Sequence, residues 1–245
     1  MRYLVVSDIH ANLAAFEAVL AHAAGEFDFI WCLGDMVGYG PDPNECIARL
    51  QDFPHLCLAG NHDWAALGRL DIQSFNTDAR IAVLWTQQEL TPASRAYLES
   101  LPTNLVQDSF TLAHASPRQP VWEYVLDPLI AQRNFAYFDT PYCLIGHTHI
   151  PVIFRRIVTP SGEGCQTLLP PFGERMPLGE ARALVNPGSV GQPRDGDPRA
   201  SYAILDTETM TWDHRRIPYP VEITQEKMRA RGMPVRLIER LAYGR

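Results

Sequence analysis

The sequence predicts an α/β protein: one domain over residues 1–245, built of two sheets with helices on the outside. Three observations predict it. In the first half, short apolar runs alternate with segments whose apolar residues recur at helical spacing, the pattern of successive β-α units. After residue 150 the pattern becomes mostly β. No repeat of fixed period and no low-complexity tract interrupts the chain.

Residues 3–6 form a continuous apolar run, as expected of a strand buried on both faces. Leu13, Phe16, Leu20 and Ala24 come next at helical spacing. Residues 29–33 are the next buried run, then comes a helix near 44–50, and residues 55–59 make a third strand. The stretch 76–101 has no strand character: Ala79, Ala82, Val83 and Leu90 suit one helix. Thr91-Pro92 then offers an N-cap with proline at the first helical position, opening a second helix. This pair reads as a helical insertion between core strands, preceded by a loop over 67–75. Strands resume at 110–113 and 142–145, and again at 152–158, 183–185, 201–205 and 211–217. Residues 160–179, rich in Pro and Gly, are expected as a surface loop or hairpin, and 221–245 as a helical tail.

Composition excludes several classes. With 46% hydrophobic and 20% charged residues the chain is neither disordered nor fibrous. No apolar run reaches the roughly 18–20 residues of a membrane-spanning helix, and MRYLVVSDIH lacks the basic and apolar regions of a signal peptide. The five cysteines are odd in number and show no CxxC spacing. A reducing, cytoplasmic location without a disulfide framework is therefore expected. A net charge of −7 and a single lysine, Lys227, disfavour nucleic-acid binding through a basic face. Phosphate handling then calls for metal ions as the local positive charge. The apolar loop residues 168–172 are compatible with a homodimer contact.

The residues at the exit of each buried run carry the chemistry. The exits read Ser7-Asp8-Ile9-His10, Gly34-Asp35, Gly60-Asn61-His62-Asp63, Ala113-His114 and Gly146-His147-Thr148-His149. Carboxyl ends of strands in open α/β sheets are where ligands bind. Singly, Asp8 reads as the cap of the next helix, Asp35 as a turn residue, and each histidine as one satisfied by local hydrogen bonds. Coincidence at five exits is a poor explanation, and metal ligation is a better one. Mixed imidazole, carboxylate and amide oxygen suits Mn²⁺, Fe or Zn²⁺ rather than Cu(I) or a dedicated Ca²⁺ site. Seven candidates (Asp8, His10, Asp35, Asn61, His114, His147 and His149) exceed the four ligands of a closed zinc site, and one carboxylate shared by two ions accounts for the surplus.

As a set, Asp8-x-His10, Gly34-Asp35, Gly60-Asn61-His62-Asp63, His114 and Gly146-His147-x-His149 resemble the calcineurin-like metallophosphoesterase superfamily. Asn186-Pro187-Gly188-Ser189 is similar to the glycine-rich segment of its bacterial phosphodiesterase branch. The resemblance implies an αββα sandwich and two divalent ions, Mn²⁺ first, with Fe, Zn²⁺ or Ni²⁺ as alternatives. It places Asp8, His10 and His149 on one metal and Asn61, His114 and His147 on the other, with Asp35 bridging. A hydroxide between the ions is the implied nucleophile, and His62 the implied general acid, its imidazolium oriented by Asp63. In an extended exit residues i and i+2 point the same way, so His147 and His149 can each serve one ion.

Protein phosphatases and symmetrical dinucleoside tetraphosphatases of the superfamily carry an arginine soon after the bridging aspartate. Tyr39 stands there in this chain, which tilts the expectation toward phosphodiesters or other small, nucleotide-like phosphoesters. Arg118 and Arg194 are candidate substrate contacts in its place. Trp64, Trp122 and Tyr124 offer either a stacking platform or, as the favoured reading, packing. The insertion is either a cap over the site or plain scaffold. Neither Gly-x-Ser-x-Gly nor a Walker loop is present. The alternatives are a phosphomonoesterase, protein phosphatase or dinucleoside polyphosphate hydrolase of the same fold, and a non-catalytic metal-binding scaffold. A nuclease is disfavoured by the scarcity of lysine.

Overall fold

A computed structural model describes residues 1–160 and 162–245. The first half runs β1 (Arg2–Val6), α1 (Leu13–His22), β2 (Phe29–Cys32), α2 (Pro43–Gln51), β3 (His55–Cys57), α3 (Asn61–Ala66), α4 (Thr77–Glu89) and α5 (Pro92–Glu99). It continues through β4 (Asn104–Gln107), β5 (Phe110–Ala113), α6 (Pro128–Asn134) and β6 (Tyr142–Leu144). The β-rich part comprises β7 (Val152–Thr159), β8 (Gly162–Leu168), β9 (Arg175–Pro177), β10 (Ala183–Asn186), β11 (Ala200–Asp206) and β12 (Thr211–Ile217), and the chain closes with α7 (Val221–Ala230) and α8 (Val235–Arg240).

The strands make two six-stranded mixed sheets, ordered β3-β2-β1-β11-β12-β9 and β4-β5-β6-β10-β7-β8. Within the first, β1, β2 and β3 are parallel; within the second, β5, β6 and β10 are. Strand alternation assigns the layers. Tyr3 and Val5 of β1 face the space between the sheets, where they join Trp31, Phe110, Leu112, Leu144, Val185 and Trp212 in one core. Leu4 and Val6 face the other way and pack with Phe16, Leu20, Ile47 and Leu50 of α1 and α2. On the outer face of the second sheet, Cys143, Phe154 and Leu184 meet Ala131 and Phe135. The order of layers is helix, sheet, sheet, helix, the expected sandwich flanked by helices.

The helical insertion forms as α4 and α5, with Asn76 capping Ala79 N–H and Thr91 capping Ser94 N–H. A single 3₁₀ turn, Ile72–Ser74, sits in the preceding loop. Of the loop or hairpin expected over 160–179, the hairpin is found: β8 pairs antiparallel with β7, and β9 adds to the edge of the first sheet. Ser161, within that stretch, lies outside the described residues. The helical tail is two helices whose Met228, Leu237, Ile238 and Leu241 pack on Tyr39, Ala79 and Ala82, tying it to the insertion. The sequence pattern missed β4, α3 and α6. The six-residue α3 and seven-residue α6 are too short to show a helical period, and β4 is a half-exposed edge strand. Among the described residues no helix is long and apolar enough to cross a membrane.

Candidate metal centre

The exits of β1, β2, β3, β5 and β6 converge, and the backbone there is held in an unusual conformation. Asp8, His10, Asp35, His147 and His149 all have positive φ, between 48° and 64°. Side chains other than glycine, asparagine and aspartate rarely adopt this region, and such residues persist only where the surroundings over-determine them. Hydrogen bonds do so here. Asp8 N–H donates to Gly34 O and His10 N–H to Asp35 O, locking the first exit onto the second. Gly60 allows the third to close in, since a Cβ there would collide with Asp35 Oδ1. The expectation that residues 147–149 leave the strand extended is corrected: both histidines turn through the left-handed region. Asp8 is not the cap of α1 either; Asn12 takes Ala15 N–H, leaving the Asp8 carboxylate to the site.

Two clusters result. Asp8, His10, Asp35 and His149 offer ligand atoms within 4.8 Å of one another, and so do Asp35, His114 and His147, all of them buried. Asp35 Oδ2 belongs to both, 3.6 Å from His10 Nε2 and 3.4 Å from His114 Nε2. Asn61 Oδ1 is 3.2 Å from His114 Nε2, which puts it at the second cluster. All seven candidates are thus gathered, His147 and His149 to different clusters.

The donor set fits divalent cations. The Nδ1 atoms of His10, His114 and His149 sit 3.1, 2.8 and 2.6 Å from the carbonyl oxygens of Val37, Leu33 and Gln192. A carbonyl only accepts, so Nδ1 carries the proton and Nε2 presents a lone pair to the cluster. Those lone pairs meet other acceptors: His149 Nε2 lies 3.2 Å from Asp8 Oδ1 and 3.1 Å from His10 Nε2. Asp8 Oδ1, Asp35 Oδ2 and His147 Nε2 are buried without a hydrogen-bond partner. Acceptors facing acceptors in a buried space require a cation or protons between them. The three carbonyl anchors carry no signal in the sequence, because every residue has one.

Electrostatics of the protein's own groups hold three of the four imidazoles in the neutral form, and His114 is the exception. Burial holds His10 well below the ordinary histidine value, lowers His149, and brings His147 down to about 3 with help from His114. Neutral imidazole is the metal-binding form. Burial also pushes against charge on Asp8 and Asp35, yet the adjoining imidazoles, His149 for Asp8 and His114 for Asp35, keep both carboxyls below their usual range. At His114 burial is likewise outweighed, by Asp35, which raises its imidazole to about 10.

His62 stands at the edge of this constellation. Its backbone N–H donates to Asp35 Oδ1 at 2.8 Å, and its ring lies among His10, Tyr39 and Phe75, with centroids 4.9, 4.3 and 5.0 Å away. Its Nδ1 is buried without a partner, close against Gly38, whose φ of +88° a glycine tolerates. Burial lowers its imidazole to about 4. The expected orientation of His62 by Asp63 is corrected. Asp63 Oδ1 accepts Val37 N–H at 3.1 Å and Oδ2 accepts Gly60 N–H at 2.8 Å, so its carboxylate fastens the second and third exits together. Burial, then the charge of Asp35, raise its carboxyl to about 7.

The two arginines part company. Arg118 pairs with the largely buried Glu123, which also accepts from Ser116 and Asn134, and this network commits its guanidinium. Arg194 stays. Its backbone N–H reaches His149 O at 3.4 Å, and its guanidinium lies over the Tyr39 ring, 5.8 Å from the centroid and 3.5 Å from the hydroxyl. The aromatics pack at the rim: Tyr124, 45% exposed, lies tilted over His147 at 4.0 Å, and Trp122, 38% exposed, meets Phe75 edge-on. Trp64 is half-buried on α3. Asn186 and Ser189 are framework. Asn186 Nδ2 donates to Gly146 O and Thr148 Oγ1, and Ser189 Oγ donates to Asp8 O.

The model of the calcineurin-like phosphoesterase superfamily domain matches residues 1–210. An uncharacterised protein of Methanocaldococcus jannaschii is 38% identical over 247 residues, spanning 98% of this chain and 97% of its own. The crystal structure of a metallophosphoesterase from Sphaerobacter thermophilus is similar with a TM-score of 0.89 and 45% identity, over 100% of this chain and 99% of that one. A hypothetical protein of Pyrococcus horikoshii OT3 shares the fold, with a TM-score of 0.77 and 20% identity over 100% and 98% of the two chains.

Proposed function

This chain belongs to the calcineurin-like phosphoesterase superfamily and is a metal-dependent phosphoester hydrolase, and from that premise we propose that it cleaves phosphodiesters of small, nucleotide-like molecules at a centre for two divalent cations. Asp8, His10 and His149 would hold one ion, Asn61, His114 and His147 the other, and Asp35 both. The observation that carries this reading is the shared position of Asp35 Oδ2 between two clusters of buried lone pairs. Ions there would supply Lewis-acid stabilisation of a phosphoryl group and acidify a water molecule; Mn²⁺ suits the mixed oxygen and nitrogen donors best.

The protein's own part is positioning and proton transfer. His62 donates the proton that the leaving oxygen needs. Burial keeps its imidazole neutral at ordinary pH despite the nearby Asp35, and a bound phosphate would raise it by adding further negative charge next to the ring. Asp63 keeps that ring in place indirectly, by holding the turns on either side of it. Tyr39 decides between ester types. The group packed on His10 and His62 is a phenol that burial keeps neutral, which suits a diester monoanion better than a monoester dianion. A monoesterase is the second reading, favoured by Arg194, which brings a guanidinium to the Tyr39 hydroxyl.

Hydrolysis of bis-p-nitrophenyl phosphate and p-nitrophenyl phosphate by metal-stripped protein titrated with Mn²⁺ tests both readings. Mn²⁺-dependent turnover of the diester, lost by at least about a hundredfold in His62→Asn, is expected. Preference for the monoester would establish the second reading. A wild-type protein that binds two ions and cleaves neither ester would count against hydrolysis of both simple ester types.

A further inference from the structure

Beside the candidate centre lies a cleft of ≈ 560 Å³ lined in part by the C-terminal helix α8. Tyr39, Tyr124 and Arg194 line it, and the first two rest on histidines of the centre. Arg236 and Arg240 of α8 also line it. The acidic residues in its lining are Asp78 and Glu239. Among the described residues no acidic side chain pairs with Arg194, Arg236 or Arg240, whereas Arg49, Arg118, Arg156, Arg199, Arg215 and Arg216 each pair with one. Arg240 donates through Nε to the terminal backbone oxygen of Arg245, and no hydrogen bond from its two terminal nitrogens is seen among the described residues. Arg194 has a buried Nε without a partner. Three partly or fully unpaired guanidinium groups around one cleft repel one another, and the fold keeps them there by packing Leu237, Ile238 and Leu241 of the same segment on Tyr39, Ala79 and Ala82.

We propose that this cleft is a binding site for a second phosphoryl group of the substrate, one that is not cleaved, gripped by Arg194, Arg236 and Arg240. The proposal rests on the phosphoesterase reading above and narrows its substrate class to nucleotide-like diesters that carry a further phosphate. Guanidinium forks match phosphate oxygens geometrically and are less strongly hydrated than lysine ammonium groups, so they give up water to a phosphate readily. The volume lies within the range of pockets that enclose a nucleotide-sized ligand. The exposed face of Tyr124 lies between the phosphate side and His147, where a base or sugar has an apolar surface to rest on. Specificity would then be carried by a segment beyond residue 210, where the match to the family model ends.

The test compares two ligands that differ by one phosphate. Calorimetric titration of the Mn²⁺-loaded protein with thymidine 5′-monophosphate and thymidine 3′,5′-bisphosphate needs no turnover, so it is decided whether or not the diesterase reading holds. The bisphosphate is expected to bind at least about tenfold more tightly, as one added charge-assisted phosphate contact warrants. In the double variant Arg236→Gln/Arg240→Gln that advantage falls to about twofold or less. Arg229→Gln, on α7 and outside the cleft lining, serves as the charge-loss control and keeps it. Arg236 is exposed, so Arg236→Gln alone gives a folded variant with a partial loss should the double variant unfold. Equal affinities in the wild type, or an advantage that survives both substitutions, overturns the proposal. Initial rates on thymidine 5′-(p-nitrophenyl phosphate) with and without a 3′-phosphate then separate the two readings. Turnover of both esters at equal KM sinks the second-phosphate site and leaves the diesterase. Absence of turnover with a retained binding advantage sinks the diesterase and leaves the site.

Discussion

The Nε2 atoms of His10 and His149 face each other across 3.1 Å, and each ring has its Nδ1 at a backbone carbonyl. Neither Nε2 has a proton to give the other. Burial also keeps both rings from charging to relieve the contact. The fold therefore stores a repulsion that a cation removes, which sets the first expectation: metal binds the folded chain and stabilises it. At free Mn²⁺ about a hundredfold above Kd, each ion adds about 2.7 kcal/mol to unfolding. Thermal melts before and after dialysis against a chelator measure it; an unchanged midpoint, with no metal in the wild-type protein, would refute it.

Occupancy should track the division of ligands. His149→Ala is expected to lose one equivalent of metal and His147→Ala the other. Asp35→Asn, which alters the carboxylate common to both clusters, should lose both or bind them at least about tenfold more weakly. Elemental analysis of the purified variants gives the counts. A full complement in Asp35→Asn would disprove a shared ligand.

Asp63 should act through stability. Asp63→Ala orphans the buried N–H groups of Val37 and Gly60, at a cost of about 1–3 kcal/mol for each that finds no water. The denaturation midpoint should fall while the kcat loss stays well short of that of His62→Asn. Unchanged stability with a kcat loss as large as that of His62→Asn would restore a direct role toward the His62 ring.

Away from the centre, His214 gives a pH dependence. Its Nε2 lies 2.9 Å from Ser201 Oγ while Nδ1 is buried without a partner, and burial, then Arg216, lower its imidazole to about 4. The unfolded chain takes up this proton near the ordinary value of about 6.5 and the folded chain only near 4. Its contribution to stability is whole above about 6.5 and is lost as pH falls toward 4, up to about 3 kcal/mol. Denaturation of the wild type and His214→Gln at pH 7 and pH 4.5 measures the slope, which should flatten in the variant. Parallel pH profiles for the two proteins would show that His214 does not carry it.

The sequence by itself determined the buried strands of the sandwich and the seven ligand candidates. Buried strands announce themselves through runs such as residues 3–6, and imidazoles and carboxylates at five strand exits are local facts of residue type. The short helices α3 and α6 stayed hidden because a period needs more residues than they have. Tertiary structure alone decided the rest. The left-handed turns at His147 and His149, the carbonyls of Val37, Leu33 and Gln192 that fix three tautomers, and the two backbone partners of Asp63 join residues distant in sequence through groups that every residue possesses. Arg118 and Arg194 looked alike as letters, and only the position of Glu123 separated them. Arg236 and Arg240 carry no signal of their own in the sequence, and the packing of α8 sets them in one cleft with Tyr39. Residue chemistry is written along the chain, whereas a site depends on which groups meet in space, and that is fixed only when the sheets and helices close on one another.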